Sequence, residues 1–251
     1  MSPRPRGSRT AFFGGSFDPP HLGHLAVARA ARAALGLDTV LFAPVGAQPL
    51  KPVGSTASFD DRVAMTRLAI AGEPGFQISL ADAPKPSGVP NYTLETLQNL
   101  RKELPPECTL YCLMGADSFV GLQRWHRAAE IPFVAPLIVA SRPGQPLEDL
   151  KALLPPGLTM EPATASDIAG VNVDGSDAAV RCYSLLSTTG NWAGQRTPFY
   201  LLPGLDVEIS ASWIRAQARA LAQEAEGSYL AGHELLPDAV SEYLQLRGLY
   251  R

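Results

Sequence analysis

The sequence predicts an α/β fold with an open, mainly parallel sheet and helices on both faces. Over the first 140 residues, short apolar runs of strand character alternate with longer helical runs, which is the order of successive β-α-β units. A glycine-rich turn follows the first apolar run and leads into an alanine-rich helical run. Because 251 residues can bury a substantial core, we expect a single domain, 1–251.

Each predicted element in this first part has its own local signals. Gly36 marks the end of the first helix, Ser58 is placed to cap the second, and Pro105 stops the third. The predicted strands are 10–13, 39–43, 76–80, 109–113 and 133–140, and the predicted helices are 22–35, 59–71 and 93–103.

The pattern changes beyond residue 140. The segment from about 155 to 194 is polar and rich in glycine, which predicts an irregular insertion. Regular patterning resumes at Phe199. The remaining sequence predicts a small helical part, 211–251, with helices that start near Ser212 and Pro237.

Composition argues against several classes of function. Lys and Arg number 21 against 24 Asp and Glu, so the net charge is −3 and nucleic acid is not an expected partner. The first residues lack the apolar stretch of a signal peptide, and no apolar run reaches membrane-spanning length, so no membrane partner is expected. Cys108 and Cys112 would lie roughly 13 Å apart on one strand, too far for a disulfide. With three cysteines in all, we expect a cytoplasmic location.

The segment 12–24, with the sequence FFGGSFDPPHLGH, is the most informative part of the chain. It predicts a strand, a glycine-rich loop and a helix. Gly14 and Gly15 allow backbone N–H groups to approach an anion closely, and the helix N-terminus adds positive potential. His21 and His24, three residues apart, share one face of the first helical turn. Together these features predict a site for a polyphosphate.

This segment resembles the nucleotidyltransferase signature, G-[TS]-F-D-P-x-H-x-G-H, and further blocks resemble the bacterial nicotinate-nucleotide adenylyltransferase family. The family's S-Y-T-x-x-T-L is matched by NYTLETL, its G-x-D-x-F-x-x-L-x-x-W by GADSFVGLQRW, its V-x-x-R-P-G by VASRPG, and its I-S-[SA]-[ST]-x-I-R by ISASWIR. The residues from Leu235 onwards also resemble the end of the family's sequences. Each block alone is weak evidence, but their number and order make the match specific.

The resemblance implies a Rossmann-like nucleotidyltransferase fold and a reaction. In that reaction the adenylyl group of ATP is transferred to nicotinate mononucleotide, which gives nicotinate adenine dinucleotide and pyrophosphate in NAD biosynthesis. The resemblance also implies Mg²⁺, which we expect the ATP phosphates to hold for the most part, since no cage of carboxylates is evident in the sequence.

The resemblance further assigns site residues. His21 and His24 are the expected catalytic residues, and either a cationic ring or a neutral N–H donor would serve at the phosphates. The expected ATP-binding residues are Gly14, Gly15, Ser16, Phe17, Gly115, Asp117, Arg142, Ile209, Ser210 and Arg215, together with the two histidines. The expected acceptor-binding residues are Lys51, Tyr92, Thr93 and Trp125, the last by stacking on the pyridine ring.

Each of these assignments has a structural alternative. Thr93 and Asp117 can simply cap helices, and Trp125 can belong to the core. Arg215 can form a surface ion pair, and Lys51 can be a solvated loop residue.

Three alternative functions remain open at the level of sequence. One is adenylyl transfer to a different phosphorylated acceptor, such as nicotinamide mononucleotide or phosphopantetheine. Another is a non-catalytic nucleotide-binding regulator on the same fold, although retention of both histidines, Lys51 and Arg215 argues against it. The third is a structural or nucleic-acid-binding module, which has no basic patch to support it.

Overall fold

The computed structural model describes residues 7–50, 54–140, 147–164, 180–202, 209–223 and 233–251. Its strands are β1 (Arg9–Gly15), β2 (Thr39–Pro44), β3 (Phe76–Ile78), β4 (Thr109–Gly115), β5 (Leu137–Ala140), β6 (Leu158–Pro162), β7 (Arg181–Ser187) and β8 (Arg196–Leu202). Its helices are α1 (Leu22–Leu35), α2 (Phe59–Ala69), α3 (Thr93–Glu103), α4 (Ala116–Val120), α5 (Ile131–Val134), α6 (Leu147–Ala152), α7 (Ala211–Gln223) and α8 (Asp238–Arg247).

All eight described strands belong to one sheet, in the order β3-β2-β1-β4-β5-β8-β7-β6. The pairs β1–β4, β4–β5 and β5–β8 are parallel, whereas β7 pairs antiparallel with both β8 and β6. The mainly parallel sheet predicted from the sequence is confirmed, and it carries an antiparallel extension on one side. In open α/β sheets, ligands bind beyond the carboxyl ends of the parallel strands.

The local signals explain most element boundaries. α1 and α3 have the predicted bounds, and α2 begins after Ser58, whose Oγ accepts a hydrogen bond from the Asp61 N–H at 3.1 Å.

The structure differs from the sequence-based prediction in two regions. The run 133–140, predicted as one strand, is divided between the end of α5 and β5, because Pro132 favours a helical first turn. The segment 155–194, predicted as irregular, contains β6 and β7. β7 lies between β6 and β8 in the sheet, so backbone pairing with both neighbours stabilises it as a strand. The glycine-rich and polar residues around it do not indicate this in the sequence.

The chain divides into two compact units. The described residues of the first unit fall within Met1–Phe13, Val27–Leu41 and Tyr92–Asp206, and those of the second fall within Gly14–Ala26, Phe42–Asn91 and Val207–Arg251. In the first unit, Phe12, Leu113 and Ile138 are buried on the central strands. In the second unit, α2, α7 and α8 contribute to one apolar cluster that includes Met65 and Ile214. Among the described residues, no helix has the length and apolar character needed to cross a bilayer.

Candidate functional site

The glycine loop, residues 14–21, connects β1 to α1 and lies in the second compact unit. Phe17 has a φ of 46°, in the left-handed region, and its ring is buried. The ring occupies the space beside Gly15, since a Cβ atom there would lie 3.1 Å from Phe17 Cζ. Gln48 Nε2 donates to Ser16 Oγ at 3.0 Å. The Phe17 ring therefore packs inside the turn. A ligand bound at the loop would contact the backbone of Phe17 rather than its ring.

The Asp18 carboxylate holds this loop to the rest of the second unit. It is buried, and it accepts hydrogen bonds from the Thr56 N–H at 2.7 Å, the Ala57 N–H at 3.0 Å and the Tyr250 hydroxyl at 2.7 Å. Arg215 Nη1 donates to the Asp18 carbonyl oxygen at 2.6 Å and lies 3.9 Å from Oδ2. Both carboxylate oxygens are engaged, so Asp18 is a structural centre of the loop. Sequence reasoning included it in the motif but gave it no role.

Arg62 of α2 is a second support of the loop that the sequence did not reveal. Its side chain is buried; Nη1 donates to the Ser16 carbonyl oxygen at 2.7 Å, and Nη2 donates to the Val45 carbonyl oxygen at 2.8 Å. Burial lowers the pKa of this guanidinium, while the nearby Asp18 carboxylate raises it. Arg62 thereby ties the glycine loop to the residue that follows β2. In sequence it is indistinguishable from a solvated arginine on an exposed helix face.

The two signature histidines lie ring against ring at the start of α1. Their centroids are 3.7 Å apart at an interplanar angle of 31°, and the edge of the Phe17 ring lies against His24 with centroids 4.9 Å apart. The His21 N–H donates to His24 Nδ1 at 3.2 Å, and the His24 N–H donates to the His21 carbonyl oxygen at 2.9 Å. Because Nδ1 of His24 accepts a hydrogen bond, a neutral ring carries its proton on Nε2.

The surroundings keep both histidines neutral near pH 7. Burial lowers the pKa of His21 from 6.5 to about 4. Burial, and then the neighbouring His21, lower the pKa of His24 well below its usual range. The sequence left open a cationic ring or a neutral N–H donor, and these surroundings favour the neutral N–H donor at His24. His21 Nδ1 is also buried, and no hydrogen bond from the described residues reaches it.

A pH dependence of stability follows from the lowered pKa of His21. Between pH 6.5 and about 4 the unfolded chain binds a proton at this residue that the folded chain does not, so the free energy of unfolding falls as the pH is lowered. The contribution of His21 is on the order of 2–3 kcal/mol across this range. His21→Asn should remove it, so the difference in stability between variant and wild type should change with pH in denaturant titrations. A difference that stays constant from pH 7 to pH 4.5 would contradict the buried, neutral state of this ring.

Three further predicted ATP-binding residues lie in the same compact unit as the glycine loop. Ser210 immediately precedes α7, and its carbonyl oxygen accepts the first helical hydrogen bond from the Ile214 N–H at 3.0 Å. Ile209 packs against the apolar cluster of this unit. Arg215, besides its contact with the loop, donates to Ser212 Oγ at 3.2 Å. Arg215 is therefore tied to the loop backbone, and its ion pair is formed with the buried carboxylate of Asp18 rather than with a residue at the surface.

Gly115 and Asp117 lie in the first compact unit, where β4 ends and α4 begins. A Cβ atom on Gly115 would meet no atom within 4 Å, so there is open space beside this residue. Gly115 is the N-cap residue of α4, and Asp117 is exposed in the first turn of that helix. Asp117 therefore does not act as the helix cap that was its structural alternative.

The predicted acceptor residues Tyr92, Thr93 and Trp125 also lie in the first unit. Tyr92 is the N-cap residue of α3 without a side-chain capping bond, and Thr93 is the first helical residue, so the capping alternative for Thr93 is not observed. The Tyr92 ring lies 4.6 Å from the His126 ring, measured between centroids. Trp125 follows a short 3₁₀ turn and is only partly buried.

Trp125 provides a test that separates ligand stacking from a core role. A core tryptophan replaced by alanine costs about 3–5 kcal/mol of stability. Because Trp125 is partly exposed, Trp125→Ala should cost much less and should raise the KM for nicotinate mononucleotide, while the KM for ATP stays near its wild-type value. Thermal melting and separate KM measurements for the two substrates check this. A large fall in melting temperature with both KM values unchanged would show that Trp125 serves packing alone.

Two predicted residues, Lys51 and Arg142, lie outside the described residues. Within the described part of the chain, no three His, Cys, Asp or Glu side chains come together in a way that could hold a metal ion. Both oxygens of Asp18, the carboxylate of the signature, already accept hydrogen bonds from the protein.

A cavity of about 370 Å³ in the first unit is lined by a different set of residues. It lies beside the segments that lead into β5 and β8, with Trp192 and Pro155 in its wall. Its charged residues already pair with each other, because Arg127 Nε and Nη2 donate to the Glu130 carboxylate at 2.6 and 2.7 Å. None of the residues predicted to bind ATP or the acceptor lines this cavity.

Comparison with known proteins agrees with this geometry. Residues 12–217 match the cytidylyltransferase-like family. A Gloeobacter violaceus protein named "Probable nicotinate-nucleotide adenylyltransferase" is 35% identical over 245 residues, which cover 97% of each chain. A Stenotrophomonas maltophilia protein of the same name is 36% identical over 252 residues, which cover 96% of each chain. The chain belongs to the nicotinate-nucleotide adenylyltransferase family. The family resemblance found in the sequence is thus confirmed.

A solved structure shares the fold of this family member. The Plasmodium falciparum nicotinic acid mononucleotide adenylyltransferase, solved in complex with NaAD, superposes with a TM-score of 0.65 at 16% sequence identity, over 97% of each chain. The predicted Rossmann-like nucleotidyltransferase fold is therefore confirmed.

Proposed function

We propose that this chain transfers the adenylyl group of ATP to nicotinate mononucleotide, which yields nicotinate adenine dinucleotide and pyrophosphate in NAD biosynthesis, with residues 1–251 acting as one nucleotidyltransferase domain. The observation that carries the proposal is the neutral pair of His21, the last residue of the glycine loop, and His24, in the first turn of α1. Membership of the nicotinate-nucleotide adenylyltransferase family supports the same substrates.

The reaction needs little proton transfer from the protein. An oxygen of the nicotinate mononucleotide phosphate forms a bond to the α-phosphorus of ATP, and the bond from that phosphorus to the bridging oxygen breaks, so pyrophosphate leaves with the electron pair. The attacking phosphate is already ionised near neutral pH. Catalysis then consists mainly of positioning the reactants and stabilising negative charge on the phosphate oxygens.

The histidines suit this task because a neutral ring donates a hydrogen bond to a phosphate oxygen, and no proton has to be abstracted. The Nε2–H of His24 can donate to a phosphate oxygen on which charge develops. In the second compact unit, the loop N–H groups, Ser16, Ser210 and Arg215 supply further donors for the triphosphate. Gly115, Asp117 and Arg142 complete the ATP-binding set that the family resemblance implies.

The acceptor is assigned to Tyr92, Thr93, Trp125 and Lys51. The start of α3 at Thr93 offers backbone N–H groups to a carboxylate, and the partly exposed Trp125 offers a flat surface to a pyridine ring.

Mg²⁺ fits this site as a companion of ATP. With the Asp18 oxygens engaged by the protein, the ion would be bound largely by phosphate oxygens and water, and it would neutralise charge on the triphosphate. We propose a cytoplasmic location from the small number of cysteines.

The decisive test is an assay of pyrophosphate release with ATP and a panel of acceptors. Nicotinate mononucleotide should give pyrophosphate and nicotinate adenine dinucleotide in equal amounts, whereas phosphopantetheine should give neither. Turnover with phosphopantetheine alone would replace the proposed acceptor. Binding of ATP without turnover of any acceptor would favour a nucleotide-binding regulator.

A further inference from the structure

We propose that Tyr250 is a positioning residue for this reaction and acts through Asp18 on the glycine loop that carries His21 and His24. The inference rests on the proposed adenylyl transfer and assigns a role to a residue far from the signature in sequence. Tyr250 lies in the same compact unit as the loop.

The conformation of the chain around Tyr250 is built to bring its hydroxyl to the loop. Gly248 ends α8 with a φ of 59°, and Tyr250 itself has a φ of 66°, in the left-handed region that residues other than glycine rarely adopt. The Tyr250 ring is buried in the apolar cluster with Leu244 and Ile214. Packing therefore holds a strained residue in one place, and its single polar side-chain atom reaches Asp18.

The hydrogen bond between Tyr250 and Asp18 is buried at both ends. Tyr250 is 5% exposed and Asp18 is 4% exposed, and the hydroxyl donates to Oδ1 at 2.7 Å. The same carboxylate accepts the N–H groups of Thr56 and Ala57. Loss of the hydroxyl would leave Oδ1 with one donor in a site from which water is largely excluded, and the carboxylate would shift to recover a partner.

A shift of Asp18 would be transmitted to the histidines. Pro19 and Pro20 connect Asp18 to His21, and their rings fix two φ angles of this short segment. The His21 N–H in turn holds the His24 ring through Nδ1 at 3.2 Å. The direction in which His24 presents Nε2 therefore depends on where Asp18 lies, and Tyr250 helps to fix that position.

The chain contains a matched control for this contact. Tyr243 of α8 also donates its hydroxyl to a carboxylate, Asp61 Oδ1 at 2.8 Å, in the same compact unit. Asp61 accepts from Ser58 Oγ at 2.6 Å and lies 3.2 Å from Arg247 Nη2, so its partners belong to the start of α2 and to α8. Tyr243→Phe removes a hydrogen bond of similar length that is only partly buried and whose acceptor, unlike Asp18, is not a residue of the glycine loop.

The test compares Tyr250→Phe with Tyr243→Phe in the full chain. Each change keeps the ring and its packing, and thermal melting establishes that both variants are folded. Tyr250→Phe should lower kcat about 10-fold, since small displacements of reacting groups are costly, and should leave the KM for nicotinate mononucleotide within about twofold of wild type. Tyr243→Phe should leave both constants within about twofold of wild type. Equal kcat values for the two variants would overturn the proposal.

A second measurement makes the inference independent of turnover. The ¹⁵N chemical shifts of the His24 ring, recorded on the ligand-free chain, should change in Tyr250→Phe and remain as in wild type in Tyr243→Phe. Unchanged ring shifts in Tyr250→Phe would also overturn the proposal. If the wild-type chain failed to turn over ATP and nicotinate mononucleotide, the proposed function would fail, and the ring shifts would still decide whether Tyr250 positions His24.

Discussion

His24→Ala should lower kcat by about 10²-fold or more, the scale expected when a preorganised donor to developing charge is lost. The expectation rests on the hydrogen bond from the His21 N–H to His24 Nδ1, which leaves Nε2 as the donor. ATP binding should change less, because the loop N–H groups and Arg215 remain. Steady-state kcat, with the dissociation constant of ATP measured separately, checks both parts of the expectation.

Two further variants at the same position sharpen this test. In His24→Gln the amide nitrogen of the new side chain falls near the place of ring Nε2, whereas the shorter side chain in His24→Asn places its amide near Nδ1. Activity should therefore decrease in the order wild type, His24→Gln, His24→Asn, with the last close to His24→Ala. Unchanged kcat in a folded His24→Ala variant would contradict the assignment of His24 as a catalytic residue.

Nicotinate mononucleotide should be preferred over its amide by about 10²-fold or more in kcat/KM, because N–H groups at a helix start bind a carboxylate and leave a neutral amide poorly matched. The relevant helix start is α3, where Tyr92 provides no side-chain cap and Thr93 is the first helical residue. The measurement is kcat/KM for both acceptors at saturating ATP.

Thr93→Val, which keeps the shape of the side chain but removes its hydroxyl, provides the matching variant. If the Thr93 hydroxyl contacts the nicotinate carboxylate, the preference for nicotinate over nicotinamide mononucleotide should fall about 10-fold in Thr93→Val. This is the expected contribution of one hydrogen bond to a charged group. Comparable kcat/KM values for the two acceptors in the wild-type chain would instead indicate a dual-specificity enzyme and would remove Thr93 from the acceptor site.

The sequence was sufficient to predict the parallel part of the fold and the loop that carries the histidines. These features depend on local signals: apolar runs of strand length, the glycine pair, and the three-residue spacing of His21 and His24. β6 and β7 were missed because their order depends on cross-strand pairing, of β6 with β7 and of β7 with β8, which the local sequence does not reveal. Strand formation of this kind is decided by partners rather than by local composition.

The residues that hold the glycine loop in place could not be predicted from the sequence, because they also act through contacts between distant parts of the chain. Arg62 and Tyr250 stand 46 and 232 residues away from the loop residues to which they donate. The local sequence does not show whether an arginine is buried or solvated. It also does not show whether the hydroxyl of a buried tyrosine donates a hydrogen bond to a distant residue. The protonation of the histidines was equally hidden, because burial, which only the folded chain defines, sets the direction of their pKa shifts.

The order of strands in the sheet also bears on how the protein behaves at high concentration. The two strands at the ends of this order, β3 and β6, have three and five residues. At the β3 end of the described sheet, only three residues offer backbone donors and acceptors to a strand from another molecule, and very short edge strands are one way in which proteins limit such additions. We therefore expect the β3 edge to resist edge-to-edge association between molecules, while β1, at seven residues, lies inside the sheet and leads into the glycine loop.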